Sequence, residues 1–195
     1  MTGGGPAAIL LAAGASARYG GDKLAALIDG DSVLSHAAQA VAASGCARRA
    51  AIVSSKSAVH APLLKTFGFE TVLNLHADEG LSSSLREGVV WAARENAESV
   101  LVALADMPFV PPAHLRALIA HSHECEEGAA FTTADGRRSV PAVFGSQWFE
   151  TLRALEGDAG ARSILKRLPD ALGVEAPAHY IRDIDTPQDL HNSTL

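Results

Sequence analysis

The chain has 195 residues, 48% hydrophobic and 19% charged, enough apolar content for one globular domain with a sizeable core and too much for a disordered chain. The formal net charge is −6 with no basic run, which argues against a nucleic acid partner. Cys46 and Cys125 are the two cysteines, too few for a disulfide framework or a paired metal-site spacing. No charged n-region with an apolar h-region opens the sequence, and no segment reaches the apolar length of a membrane span. A cytoplasmic protein is the expectation.

In chain order, Ala7 to Leu11 is an apolar run of strand length. It breaks into the small residues Ala12, Ala13, Gly14, Ala15, Ser16 and Ala17, then closes with Arg18, Gly20-Gly21, Asp22 and Lys23. A strand, a small-residue loop and cations suit close approach of backbone to phosphate oxygens. The spacing is not that of a P-loop, because Lys23 does not follow a glycine and Leu24 follows it. It is not a dinucleotide fingerprint either, since no G-x-G-x-x-G occurs. What remains, L-A-A-G-x-S-x-R-x-G-x-x-K, resembles the signature of nucleotidyltransferases that use a nucleoside triphosphate.

Leu24 to Ile28 is a short apolar run ended by the turn signal Asp29-Gly30. Ser32 caps an expected helix from Val33 to Ser44, with Gly45 just past its end. Ala50 to Ser54 reads as a strand, Pro62 to Thr66 as a short helix, and Glu70 to Leu73 as a third strand ending at Asn74. Ser82, Ser83 and Ser84 stand at the start of a helix expected from Leu81 to Glu95. Val100 to Leu104 is a buried strand that runs into Ala105-Asp106-Met107-Pro108. Pro111-Pro112 opens a further helix, and Ala129 to Thr133 and Val140 to Phe144 read as strands joined across Asp135-Gly136. Helices are expected over Ser146 to Leu155 and Ala159 to Leu168, then an extended stretch from Tyr180 to Asp185 and a short helix after Thr186-Pro187. Strands alternate with helices, and the early strands are continuously apolar. That pattern predicts a three-layer α/β/α architecture around a mostly parallel sheet, in a single domain over residues 1–195.

Asp106 follows directly on the carboxyl end of a strand that reads as central, where open α/β sheets bind ligands. A carboxylate there suits Mg²⁺, which takes one or two carboxylates together with phosphate oxygens and waters. Asp183 and Asp185 lie two apart in an extended segment, so they point the same way. They face one site together, or one holds metal while the other caps the helix after Pro187, or both serve as a capping pair; the residues alone do not decide. His121 and Cys125, four apart, read as the polar end of a helix rather than a metal pair.

Taken together, these pieces resemble the MobA-like nucleotide transferase family, and within it the molybdenum cofactor cytidylyltransferases. The matching segments are Leu11 to Lys23, Asn74 to Gly88 (N-x5-G-x-SSSLR-x-G), Ala105 to Val110 (ADMPFV), Gly136 to Phe144, Gly157 to Arg162 (GDAGAR) and Asp183 to Leu190 (DIDTPQDL). The resemblance implies a Rossmann-like sheet of the nucleotide-diphospho-sugar transferase type. It implies that Leu11, Ala12, Ala13 and Gly14 hold base and ribose, with Ser16, Ser82, Ser83 and Ser84 near the nucleotide. Arg18 and Lys23 would bind the triphosphate and act with Asp106 in catalysis. Asp106 would bind Mg²⁺ with Asp183 or Asp185. Pro141, Asp158, Gly160 and Arg162 would face the acceptor. Guanylyl enzymes of the family tend to have L-A-G-G where this chain has Leu11-Ala12-Ala13-Gly14, and the Ala13 methyl favours the smaller cytosine. Two departures stand out: Ala105 replaces the family's usual glycine, and Ser139-Val140 replace Gly-His or Gly-Asn on the acceptor side.

The implied reaction moves CMP from CTP to the phosphate of a molybdopterin-type acceptor, with a molybdoenzyme as recipient of the product. The alternatives are a GTP-using enzyme, a transferase for another small phosphorylated acceptor, or a non-catalytic carrier of cofactor.

Overall fold

The computed structural model describes residues 4–14, 19–157 and 160–191. Nine strands appear among them. Seven form one sheet: β1 (Ala7–Leu11), β4 (Arg48–Val53), β5 (Glu70–Leu73), β6 (Ser99–Leu104), β7 (Ala129–Ala134), β8 (Arg137–Gly145) and β9 (Gly173–Glu175). Their order is β5-β4-β1-β6-β8-β7-β9, and only β8 runs against the rest. The other two, β2 (Leu27–Ile28) and β3 (Asp31–Ser32), make a small hairpin. Its two turn residues, Asp29 (φ 51°) and Gly30 (φ 93°), both take positive φ, as the tight twist-matched hairpin turn requires.

β1 and β6 are the centre of the sheet, and their continuous burial explains their unbroken apolar sequence. Helices α1 (Val33–Ala42), α2 (Ala61–Thr66) and α4 (Pro112–Glu124) cover one face. Helices α3 (Leu81–Arg94), α5 (Phe149–Arg153) and α6 (Arg162–Leu165) cover the other, giving the expected three layers. Ser32 caps α1 as expected, accepting the Ser35 N–H at 3.0 Å.

The chain leaves β1 toward β4 on one side and later returns to β6 on the other. The loops after β1 and β6 therefore diverge at a topological switch point, where a crevice opens at the strands' carboxyl ends. The Leu11 and Leu104 ends lie in register beside each other.

Three local expectations are corrected, and one strand was not expected. The stretch over Tyr180 to Asp185 opens as a 3₁₀ turn (Ala178–Ile181), closed by Tyr180 N–H onto Pro177 O, and does not join the sheet. The three-residue edge strand β9 carries no alternation to betray it; it exists by pairing with Phe131 to Thr133. The helix expected over Ser146 to Leu155 breaks into a 3₁₀ turn and α5. Of the helix expected over Ala159 to Leu168, α6 spans Arg162–Leu165.

Gly88 shows how closely α3 approaches the sheet. A Cβ there would stand 2.7 Å from Ile9 Cδ1 and 3.3 Å from Ile52 Cγ1, both in fully buried side chains. Gly88→Ala gains about 1 kcal/mol of helix propensity but forces a shift in a packed core, which costs about 1–3 kcal/mol. The expected net result is a lower urea midpoint at unchanged m-value; a higher midpoint would mean that the contact yields freely.

Candidate active site

The loop after β1 is tied to the sheet at both ends of its first residues. Ala12 N–H donates to Ile52 O at 2.9 Å, and Ala105 N–H donates to Leu11 O at 3.1 Å. Leu11, Ala12, Ala13 and Gly14 form one wall of a cleft of about 250 Å³. A Cβ on Gly14 would meet nothing within 4 Å, so the protein's own packing does not demand glycine there. Bare backbone facing open cleft is what close approach of a ligand requires.

Lys23 enters the same cleft from a 3₁₀ turn (Lys23–Ala25). Asp22 builds that turn: Oδ1 accepts the Leu24 N–H at 3.1 Å, and Oδ2 stands 2.9 Å from His60 Nε2. The Lys23 ammonium is lodged between two carboxylates, 2.6 Å from Asp106 Oδ2 and 3.0 Å from Asp185 Oδ1. Burial alone would pull its pKa down; the two carboxylates outweigh that and hold the ammonium above its usual value.

Asp106 sits two residues past the end of β6. Its carbonyl accepts the Ile184 N–H at 2.9 Å, which pins the 183–185 segment beside it. Ile184 is fully buried, and Asp183 and Asp185 flank it. Asp183 lines the cleft with Asp106, while Asp185 reaches Lys23. Helix capping falls to a third acid: Asp189 Oδ2 accepts the N–H of Asp185 and of Thr186 at the start of α7 (Pro187–His191). Burial pushes the Asp106 carboxyl above the ordinary carboxylate value. Lys23 offsets part of this, and the Asp183 charge adds to it. Asp106 Oδ1 is buried without a hydrogen-bond partner. An orphaned carboxylate oxygen beside a second carboxylate is the donor set a hard divalent cation takes together with phosphate oxygens.

The serines divide. Asn74 Nδ2 donates to Ser83 Oγ at 2.9 Å and Ser84 Oγ at 3.0 Å, and Ser83 Oγ donates to Gly80 O at 2.8 Å. Of the three, Ser84 lines the cleft; Ser83 is spent on holding the start of α3, and Ser82 Oγ is buried without a partner. Of the three serines expected near the nucleotide, the structure thus brings Ser84 to the cleft and not Ser82 or Ser83. Asn74 anchors Ser83 and Ser84, a role legible only from its place in the same motif.

Of the residues expected to face the acceptor, Arg162 lines the cleft. Pro141 does not. Side chains alternate along β8, so Val140 faces the cleft while Pro141 faces α1 and α4, among Ala37, Val41 and Leu115. Gly160 also stays behind the wall: at φ 48° it packs where a Cβ would meet Leu81 Cδ2 at 2.8 Å. Ser16, Arg18 and Asp158 lie outside the described residues. The apolar wall of Leu81, Leu85, Val102, Leu104 and Val140 was hidden in sequence, because those residues read as ordinary core. His121 Nε2 bonds Ala171 O at 2.9 Å, and no group of three metal-ligating side chains occurs among the described residues. No helix among them is long and apolar enough to cross a membrane.

A family model for the MobA-like NTP transferase domain matches residues 8–172. The purine catabolism protein PucB of Bacillus subtilis (strain 168) is 30% identical over 196 residues, covering 93% of this chain and 92% of its own. A nucleotidyl transferase from Methanothermobacter thermautotroptrophicus superposes with TM-score 0.80 at 22% identity, over 96% of this chain and 94% of that one. The molybdopterin-guanine dinucleotide biosynthesis protein A from Archaeoglobus fulgidus gives TM-score 0.68 at 18% identity, over 95% of each chain.

Proposed function

The chain belongs to the MobA-like NTP transferase family, a family of nucleotidyltransferases, and on that premise we propose that it moves CMP from CTP to the phosphate of molybdopterin. An oxygen of the acceptor phosphate bonds to the α-phosphorus of CTP, the bond from that phosphorus to the bridging oxygen breaks, and pyrophosphate leaves. The acceptor phosphate is already ionised near neutral pH, so the protein's task is positioning and charge compensation rather than proton abstraction.

One observation carries this reading: the Lys23 ammonium, the orphaned Asp106 oxygen and Asp183 meet in the cleft whose wall is the Leu11-to-Gly14 backbone. Asp106 and Asp183 are the pair that would hold Mg²⁺, with Asp185 orienting Lys23. When bound there, Mg²⁺ supplies positive charge against the phosphate oxygens. Lys23 exchanges its carboxylate partners for phosphate oxygens as the nucleotide enters, and Arg18 assists. Ala13 lines the cleft at 7% exposure, and its methyl narrows the space beside the base, in favour of cytosine.

Pyrophosphate release with each of the four common triphosphates, with and without molybdopterin, tests the proposal. Release is expected with CTP and molybdopterin together. Release with GTP instead would move the specificity to guanylyl transfer, and release with no pair would favour a cofactor carrier.

A further inference from the structure

Beside the cleft lies a second, larger depression of about 700 Å³. Arg162 and Asp183 line both, so the two adjoin. Its walls carry Arg137 from the β7–β8 hairpin and, opposite, Arg162 and Lys166, one helical turn apart. Arg138 builds the wall itself: its guanidinium is spent on the carbonyls of Leu165 and Leu168 and on the Asp170 carboxylate. Three cations thus face one carboxylate, Asp183, in a protein whose net charge is −6. A positive groove on an acidic protein concentrates anions locally.

A second observation points to a ligand there. Ser139 lines the groove, is 3% exposed, and its hydroxyl is buried with no hydrogen-bond partner. A buried unpaired hydroxyl is costly unless something arrives to satisfy it.

We infer that this groove seats the distal part of the acceptor, and that the acceptor carries a second anionic centre beyond the phosphate that attacks. Arg137, Lys166 and Ser139 hold that centre, and Arg162 spans the junction with the cleft. The inference rests on the acceptor entering the cleft as proposed above, and it adds a class of substrate: a small phosphorylated molecule, anionic at its far end as well.

The test has two arms, both on the full chain and on Arg137→Gln/Lys166→Gln. In the first, inorganic phosphate is titrated while the Ser139 and Arg137 backbone amide resonances are followed. Wild type is expected to show a saturable shift, weakened about tenfold in the double variant. No saturable shift in wild type, or an equal one in the variant, overturns the inference. In the second arm, pyrophosphate release is measured against molybdopterin at saturating CTP. The KM for molybdopterin is expected to rise about tenfold with the KM for CTP within about twofold; an unchanged molybdopterin KM overturns the inference. If wild type does not turn over molybdopterin while the phosphate arm behaves as expected, the proposed acceptor falls and the anion groove stands.

Discussion

Lys23→Ala is expected to lower kcat/KM for the nucleotide by about 10²–10³, the scale on which loss of one preorganised charge donor acts. Among the described residues, Lys23 and Arg162 are the cations that line the cleft, and Lys23 alone stands at the Asp106 end. The Asp22 turn aims it and its burial keeps its field unscreened. Removing it also leaves Asp106 and Asp185 without their shared cation, so the variant is expected to lose stability as well. Two measurements separate these effects. The thermal midpoint reports the ion pair, and pyrophosphate release well below that midpoint reports catalysis. Lys23→Arg, which keeps the charge, should recover most of the stability and only part of the rate, because its fork does not reproduce a point charge. Turnover within about threefold of wild type in Lys23→Ala, by pyrophosphate release, would remove Lys23 from the mechanism.

Asp106→Asn is expected to cut turnover about 10³-fold, since a metal ion contributes several kcal/mol of charge stabilisation and each 1.36 kcal/mol is tenfold. Its effect on stability should have the opposite sign to that of Lys23→Ala. Burial raises the Asp106 carboxyl above its ordinary value, so near neutral pH the ionised group works against folding even with Lys23 beside it. The amide keeps the shape and removes that charge. A folded, inactive variant with an equal or higher thermal midpoint is the expected result. An active Asp106→Asn would refute the metal role, and a strongly destabilised one would show that the Lys23 pair outweighs the burial.

Much of the site was legible because its chemistry lies in short, unusual strings. The β1 run and the loop after it are contiguous, so their joint position could be read directly. That Asp106 lines the cleft was legible because it follows directly on the carboxyl end of a wholly apolar strand. Which of Asp183 and Asp185 lines the cleft was not legible: Asp189 takes over the capping of α7, Asp183 lines the cleft and Asp185 reaches Lys23. Pro141 was misplaced for a related reason. Period-two alternation gives which residues share a face but not which face meets the cleft, and that is set by β8 pairing with β6. The serine run concealed a division of labour that only the reach of Asn74 decides. The β9 strand and the groove walls depend on pairings and side chains brought together from residues 136 to 183, which no local pattern records.

The central claim is that one cleft brings Lys23, Asp106 and Asp183 to a metal-bound nucleotide. A crystal structure with Mn²⁺ and a non-hydrolysable CTP analogue tests it most directly, through the anomalous signal of the metal. The account predicts a peak about 2.0–2.2 Å from a carboxylate oxygen of Asp106 and of Asp183, triphosphate against the Leu11-to-Gly14 loop, and the Lys23 ammonium turned from Asp106 to a phosphate oxygen. Metal bound away from both aspartates, or nucleotide outside the cleft with Lys23 still on Asp106, would contradict it.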